Sequence, residues 1–357
     1  MRIKIQGSEL SRMMKTISQC IDSHVQSNNA NIEICHQDNM LTIYASNGIF
    51  SAKMCTPLLG GDGERFCVDG AMFGKIVSMC NKDTEIITDD KFCTVKCSGR
   101  TKLPIVRAKI TEIKEIKGKA TTISSDNLRR VLGGLMYAVG QDHVTRLTLT
   151  AINMEAGKES AQFVALDGFQ VSVEHVPCKG DEFKALIPNE FMKLVSQAAD
   201  FEDVTFITDG HKVQAKTDTM LLGCGLITGS YVDYNMFYPK EFKTECKINV
   251  EDLRSALKSG SVVNNKLNTV KLSVSENYIR VMNNSNEAEY EADVPCETQG
   301  DGLNIAFNMK YMIGTINSVQ SDEAVLKFTT PVSPCVIVGK DMDGFRLLLP
   351  VRVFQGG

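Results

Sequence analysis

Apolar and polar positions fall into a pattern that recurs along this chain. Three stretches run from an apolar strand straight into an amphipathic helix, at intervals of roughly 120 residues. They read RFCVDGAMFGKIVSM around Phe73, KALIPNEFMKLVSQA around Phe191 and NIAFNMKYMIGTINS around Tyr311. A second pattern has about the same period, in MRIKIQGSELSRMMKTI, TTISSDNLRRVLGGLM and CKINVEDLRSALKSG, where Leu10, Leu128 and Leu253 hold equivalent places. In the first of these, Leu10, Met13, Met14, Ile17 and Ile21 form one helical stripe with Arg12, Lys15 and Gln19 off it. Leu128, Val131, Leu132 and Leu135 repeat the stripe, as do Leu253, Ala256 and Leu257. Ser8, Ser125 and Asn249 are the expected N-caps of the three helices. Between helices the chain alternates in strand fashion, as in QFVALDGFQVSVEHV and VKLSVSENYIRVM.

The pattern therefore predicts an α+β protein of three tandem domains, each with two helices backed by antiparallel sheet. The expected bounds are residues 1–119, 120–241 and 242–357, with junctions in the lysine-rich segment 109–122 and the turn-rich segment 230–242. A chain of 357 residues is long for one core and suits three. No apolar run is long enough to span a membrane, and the N-terminus lacks a signal-peptide core, so a cytoplasmic protein is expected. The twelve cysteines are scattered among apolar neighbours without paired CxxC motifs. Reduced, buried thiols are the main expectation, with structural zinc as the alternative. Catalytic signals are absent from the pattern. There is no phosphate loop, no H-E-x-x-H and no G-x-S-x-G. His24, His36, His143, His175 and His211 are dispersed, and the acid pairs Asp89–Asp90 and Asp341–Asp343 fall in turns. No enzyme, cofactor or metal is expected.

In the C-terminal third, FNMKYMIGTINSVQSDEAVLKFTTPVSPCVIVG followed by GFRLLLPVRV closely resembles the end of the bacterial DNA polymerase III β subunit, the replicative sliding clamp. SYVDYNMFYPKE, VVNNKLNTVKLSVSEN and, in the middle third, YAVGQDHVTRLTLTAINME and FVALDGFQVSV carry the same resemblance. It implies that two protomers close head-to-tail into a ring of six domains, helices lining the hole. Duplex DNA would be encircled without sequence preference through weak phosphate contacts. A net charge of −4 is compatible with this if cations are gathered on the lining. The implied DNA-facing residues are Arg12, Lys15, Arg129, Arg130, Lys193, Arg254, Lys258 and Lys310. Asn189 and Glu190 stand where the family carries a basic pair.

The resemblance also implies a groove that receives a short motif, a glutamine followed by aliphatic and aromatic residues, from the polymerase, the clamp loader and repair proteins. The matching positions are Leu149, Leu166, Gly168, Phe169 and Val171 of the middle domain. From the linker and third domain come Val232, Met236, Phe237, Leu267, Asn308, Tyr311, Val332, Pro334, Leu347, Leu348, Leu349, Pro350, Val351 and Arg352. Phe169 and Gln170 replace the family's His or Tyr followed by Arg, Val232 a Pro and Met236 an Arg, which makes the groove more apolar. Leu103 and Ile105 are expected to face Val262 and Val263 across the dimer seam. Two other readings stay open: a nucleic-acid enzyme on a repeated scaffold, and a clamp-like decoy or regulator that is not itself loaded on DNA.

Overall fold

The computed structural model describes residues 2–22, 30–58, 64–80, 82–108, 113–142, 144–263 and 268–352. One order of elements occurs three times. The first pass is β1 (Arg2–Gln6), α1 (Gly7–Ile17), β2 (Asn31–Gln37), β3 (Met40–Ser46), β4 (Phe50–Pro57), β5 (Glu64–Asp69), α2 (Gly70–Val77), β6 (Asp83–Thr88), β7 (Phe92–Lys96) and β8 (Arg100–Pro104). The second is β9 (Lys119–Ile123), α3 (Ser125–Leu135), β10 (Ala151–Ala156), β11 (Ser160–Leu166) and β12 (Gln170–Pro177), then a two-residue β13 (Lys179–Gly180). It continues through β14 (Phe183–Pro188), α4 (Asn189–Ala198), β15 (Val204–Thr208), β16 (Lys212–Lys216) and β17 (Met220–Gly225). The third is β18 (Thr244–Asn249), α5 (Val250–Gly260), β19 (Thr269–Val274), β20 (Tyr278–Asn284), β21 (Glu289–Gly300), β22 (Leu303–Asn308), α6 (Met309–Asn317), β23 (Glu323–Phe328), β24 (Cys335–Gly339) and β25 (Gly344–Leu348). The α+β class and its threefold recurrence are thus as the pattern predicts.

Compactness divides the chain differently from the repeat. Residues 1–126 with 178–226 form one unit, and 127–177 with 227–357 the other, so the second repeat contributes to both. In the first unit an antiparallel sheet runs β13–β9–β15–β16–β17–β4–β3–β2–β5, beside a smaller sheet β1–β6–β7–β8. Strand β17 pairs with β4 from Met220↔Met54 to Cys224↔Phe50, so one sheet continues from the first repeat into the second. In the second unit the order is β10–β11–β12–β25–β24–β23–β18–β21–β20–β19–β22. There β12 pairs with β25, Val171 opposite Leu347 and Ser172 opposite Arg346. Strand β21 changes partner part-way, pairing with β20 over residues 289–295 and with β18 over 296–300.

The helical stripes pack as their spacing requires: Leu10, Met13, Met14 and Ile17 are buried, as are Leu253, Ala256 and Leu257. Ile21 lies past the end of α1, which closes through a 3-10 turn at Ser18–Cys20. Two of the three expected caps are corrected. Helix α1 already starts at Gly7, where a Cβ would collide with the Cys80 carbonyl oxygen, so Ser8 sits inside the helix. Ser125 is likewise the first residue of α3 rather than the residue before it. Asn249 does cap α5, its Oδ1 accepting from the backbone N–H groups of Glu251 (2.9 Å) and Asp252 (3.1 Å). Leu103 is also corrected as a seam residue. It points from β8 into the protomer's own core and is 1 % exposed, whereas Val262 is 82 % exposed and Ile105 and Val263 are half-buried. Asn249→Ala should lower stability by about 1 kcal/mol by orphaning two helix N–H groups, while Ser8→Ala should stay within about 0.5 kcal/mol. Urea denaturation of both variants checks this, and equal losses would contradict the assignment.

Candidate functional site

The site begins with a turn. Asp167 Oδ1 accepts from the backbone N–H of Phe169 (2.8 Å) and Gln170 (3.0 Å), and Gly168 between them has φ +97°, a left-handed conformation that glycine adopts without strain. The turn delivers the chain into β12, whose hydrogen bonds to β25 fix the facing of both strands. Side chains on a strand alternate between faces. Leu347 and, just past the strand, Leu349 therefore join Leu149, Leu166 and Val171 in one apolar cluster, while Leu348 turns into the core of the third repeat. The Leu349 N–H donates to the Phe169 carbonyl at 2.9 Å, which ties the chain segment after β25 to the turn.

These elements enclose a cavity of ≈ 430 Å³ lined by Thr145, Arg146, Thr148, Leu149, Leu166, Gly168, Phe169, Gln170, Val171, Val232, Phe237, Leu347 and Leu349. Phe169 is 54 % exposed and stacks on Tyr311, ring centroids 5.5 Å apart and planes 22° from parallel. Tyr311 reaches this position from the first turn of α6, where Asn308 caps the helix by accepting its N–H at 3.2 Å. Partial burial pushes the Tyr311 phenol up, so it is neutral at ordinary pH. Beneath the rim the Gln170 amide is buried, donating to the Tyr137 carbonyl and to Asp167 Oδ2, both at 3.0 Å. A second and larger cleft, ≈ 1070 Å³, lies along β22 and takes Val332, Val351 and Arg352 together with Lys243, Lys271 and Asp301.

The structure thus splits the expected groove set. Nine of its members line the ≈ 430 Å³ cavity, namely Leu149, Leu166, Gly168, Phe169, Val171, Val232, Phe237, Leu347 and Leu349. Tyr311 joins them through the stack, and Asn308 supports Tyr311. Met236 is 80 % exposed on the 3-10 turn Tyr234–Phe237 and lines neither space. Pro334 and Pro350 are half-buried outside both linings. Leu348 is corrected, since the alternation of β25 sends it to the opposite face. Leu267, like His24 and His143, lies outside the described residues. Sequence reasoning missed Thr145, Arg146 and Thr148 and took Gln170 only as a departure. A signal for the first of these was available. Asp142 accepts from the backbone N–H groups of Val144 and Thr145 and from the Thr145 hydroxyl, an Asx turn written in the D-x-x-T spacing. Those bonds, the hydroxyl's first, hold its carboxyl down to about 2.

The expected DNA-facing cations are unequal. Lys15, Lys193, Lys258 and Lys310 are exposed on α1, α4, α5 and α6. Arg12 is chelated by Glu9 at 3.0 and 2.8 Å, and Arg254 pairs with Glu251. Arg129 is half-buried. Arg130 is corrected: it turns to the His175 carbonyl (2.9 Å) and the buried Glu174 carboxylate (3.7 Å), so its charge is spent inside the protein. Among the described residues no group of three or more His, Cys, Asp or Glu could hold a metal ion, and none of the cysteines forms a disulfide. Burial pushes the Cys20 and Cys93 thiols up to about 12, which keeps them protonated and unreactive.

Two family models match the chain, the central domain of the DNA polymerase III beta subunit over residues 122–233 and its C-terminal domain over 236–352. Together they span more than half of the sequence. The chain belongs to the DNA polymerase III β-subunit family. Among its relatives, the beta sliding clamp of Bacillus subtilis (strain 168) is 24% identical over 347 residues, covering 90% of this chain and 92% of that one. The beta sliding clamp of Lactococcus lactis is 24% identical over 346 residues, covering 88% and 90%. The solved DNA polymerase III β subunit of Thermotoga maritima superposes with a TM-score of 0.90 at 22% identity, over 99% of this chain and 100% of that one. A Pseudomonas aeruginosa sliding clamp bound to griselimycin gives 0.91 at 18% identity, over 99% and 100%. This β-subunit relative therefore has the clamp fold at low sequence identity to those solved structures. In this divergent β subunit Gly168 is a position where a side chain is poorly tolerated. A Cβ there would demand left-handed backbone, costing roughly 1–2 kcal/mol, and would approach Arg146 Nη1 to 3.1 Å. Gly168→Ala should therefore lower the denaturation free energy by at least that amount, whereas Gly210→Ala, with φ +91° but open space around it, should lose only the backbone part and no more than Gly168→Ala.

Proposed function

We propose that this β-subunit family protein works as a sliding clamp: two copies close into a ring around duplex DNA, and replication proteins dock in the ≈ 430 Å³ groove through short apolar motifs. The observation that carries the reading is the threefold order of elements in a chain of this family, because it leaves one joint unmade. By their place in that order β4, β12 and β21 are equivalent, and so are β8, β17 and β25. Two joints of this kind exist within the chain, β17 on β4 and β25 on β12. The third would be β8 on β21. Strand β8 pairs only with β7, and residues 289–295 of β21 pair only with β20 among the described residues. A second copy supplies the missing partner at each end, which gives a closed, head-to-tail dimer. Opposite charges face the joint: β8 carries Arg100 and Lys102, and β21 carries Glu289, Glu291 and Asp293, of which the last two also pair with Arg280 of the same chain.

A ring threaded by duplex needs contacts of nearly equal energy at each base pair. Exposed lysines Lys15, Lys193, Lys258 and Lys310 can meet phosphates in that way. A polymerase held on the ring rebinds its template at high effective concentration after each detachment, which is processivity. The groove's aliphatic floor and aromatic rim suit one or two apolar anchors of a peptide, each worth about 1.5–3 kcal/mol on burial. After ordering costs this corresponds to affinity on the order of micromolar. The cognate polymerase, the clamp loader and a cytoplasmic location complete the proposal. The decoy reading is not favoured, since the relatives that match nearly the whole chain are sliding clamps.

Two measurements test it. A fluorescent peptide of the glutamine–aliphatic–aromatic type should bind saturably, and the double variant Tyr311→Ala, Leu349→Ala should abolish binding. Binding that survives in the variant would place the peptide elsewhere. For the ring, Arg100→Glu with Lys102→Glu should shift the mass in solution from dimer to monomer, because each opposite-charge cross-strand pair contributes roughly 0.2–1 kcal/mol and reversal makes it repulsive. An unchanged dimer would remove β8 from the seam.

A further inference from the structure

We propose that Arg346, held by Glu174 on the face of the sheet opposite the groove, is a positioning residue that sets the groove's rim. The inference rests on the groove reading and adds to it the group that holds the rim in place. Arg346 is fully buried and is the largest fully buried side chain of the protein's described residues. A guanidinium has five N–H donors, and here all five are used. Nε donates to the Ser318 hydroxyl (3.0 Å), Nη1 to the carbonyls of Val173 (3.1 Å) and Phe345 (3.3 Å), and Nη2 to the Ser318 carbonyl (3.2 Å) and the Glu174 carboxylate.

The acceptors belong to the elements that carry the rim. Val173 and Glu174 lie on β12, directly downstream of Phe169 and Gln170. Ser318 is the residue that ends α6, whose first turn carries Tyr311. A cation against the last carbonyls of a helix also meets the negative end of its dipole. Arg346 itself sits on β25 between Phe345 and Leu347, one residue from the groove floor. One planar group thus fixes β12, β25 and the end of α6 relative to one another. The Phe169–Tyr311 stack spans β12 and α6, so its geometry depends on that tie. From the other side Ser172 Oγ donates to the Gly134 carbonyl at 2.7 Å, and Arg130 approaches Glu174. There is no slack: a Cβ on Gly134 would lie 2.5 Å from both Arg346 Nη2 and Glu174 Oε1.

A lysine, with three donors on a flexible stem, could not bind this set. Removing one member alone would strand a buried charge, so the test removes both. Arg346→Met with Glu174→Gln keeps the volume and removes both fully buried charges, leaving Arg130, which is partly exposed, bonded to the His175 carbonyl. The intact protein carrying this pair should remain folded by circular dichroism but bind the fluorescent motif peptide about tenfold more weakly. That is the expected cost of ordering rim side chains at the moment of binding. Gly134→Ala, which presses on the guanidinium with both charges retained, should weaken binding in the same direction and serves if the double variant does not fold. Leu272→Ala is the control for mere stability: it is a buried truncation on β19, which pairs with β20 and β22 rather than with β12 or β25. It should lower the melting temperature and leave peptide affinity unchanged. Wild-type affinity in the folded Arg346 and Gly134 variants would overturn the inference, as would an equal loss in Leu272→Ala. Wild type that does not bind at all would instead fell the groove reading on which it rests.

Discussion

An antiparallel sheet that stops leaves a row of unpaired N–H and C=O groups, and this protein is organised around where those rows are placed. Each repeat brings two free edges, one on its β4-type strand and one on its β8-type strand. Within the chain the edges are consumed in pairs, β17 against β4 and β25 against β12. Backbone hydrogen bonding is obligatory and directional, so such joints set register as well as adhesion. That is why compact units form across repeats rather than within them, and why the second repeat is shared between two units. The two edges left over are on strands of opposite charge, and an exposed edge of that length invites a partner.

The groove is a by-product of one of these joints. Pairing Val171 with Leu347 puts alternate residues of β25 on alternate faces, so Leu347 and Leu349 make the floor while Arg346 and Leu348 go behind it. The repeated element order and the helical stripes could be read from spacing alone, because periods of 2 and 3.6 survive in the sequence of any half-buried strand or helix. Most of the groove floor was legible too, through a family resemblance in GFRLLLPVRV. What spacing could not supply was facing. The resemblance puts Leu348 in the groove and Leu103 at the seam by position along the chain, and only strand pairing decides which face each takes. Arg130 was placed on the DNA side for a similar reason. A helix wheel shows that it leaves the apolar stripe but not that a buried carboxylate from β12 waits there.

The cations on the helices have a second explanation that does not involve DNA. Lys15 and Lys258 lie in the last turns of α1 and α5, while Glu9, Glu251 and Asp252 lie in the first turns. That distribution complements the helix dipoles and would be favourable in any helical protein. Glu190, in the first turn of α4, fits the same rule where the family carries a base. Local helix electrostatics and phosphate attraction therefore compete for the same positions. Lys193 and Lys310, away from the C-terminal turns, are the ones that the dipole does not explain.

The three associations proposed for this protein rest on different physics, and the difference has consequences. Ring closure sets Arg100 and Lys102 against acids of β21, and DNA contact sets lysines against phosphates. Both are made between exposed charges and are screened within about 10 Å at 0.1 M salt. The groove is different. Arg146 is the one charged side chain among the residues lining it, and its floor is Leu149, Leu166, Val171, Leu347 and Leu349. Burial of apolar area drives binding there, and salt of moderate strength hardly alters that term. A polymerase can thus remain attached to its clamp under conditions that loosen the clamp on DNA. Phe169 and Gln170 push further in that direction, since a stacked ring and a neutral amide tied to Tyr137 and Asp167 offer a peptide shape rather than charge. Selectivity for partners must then come from how well two or three side chains fit a rim whose geometry is fixed from behind, by the buried pair of Arg346 and Glu174.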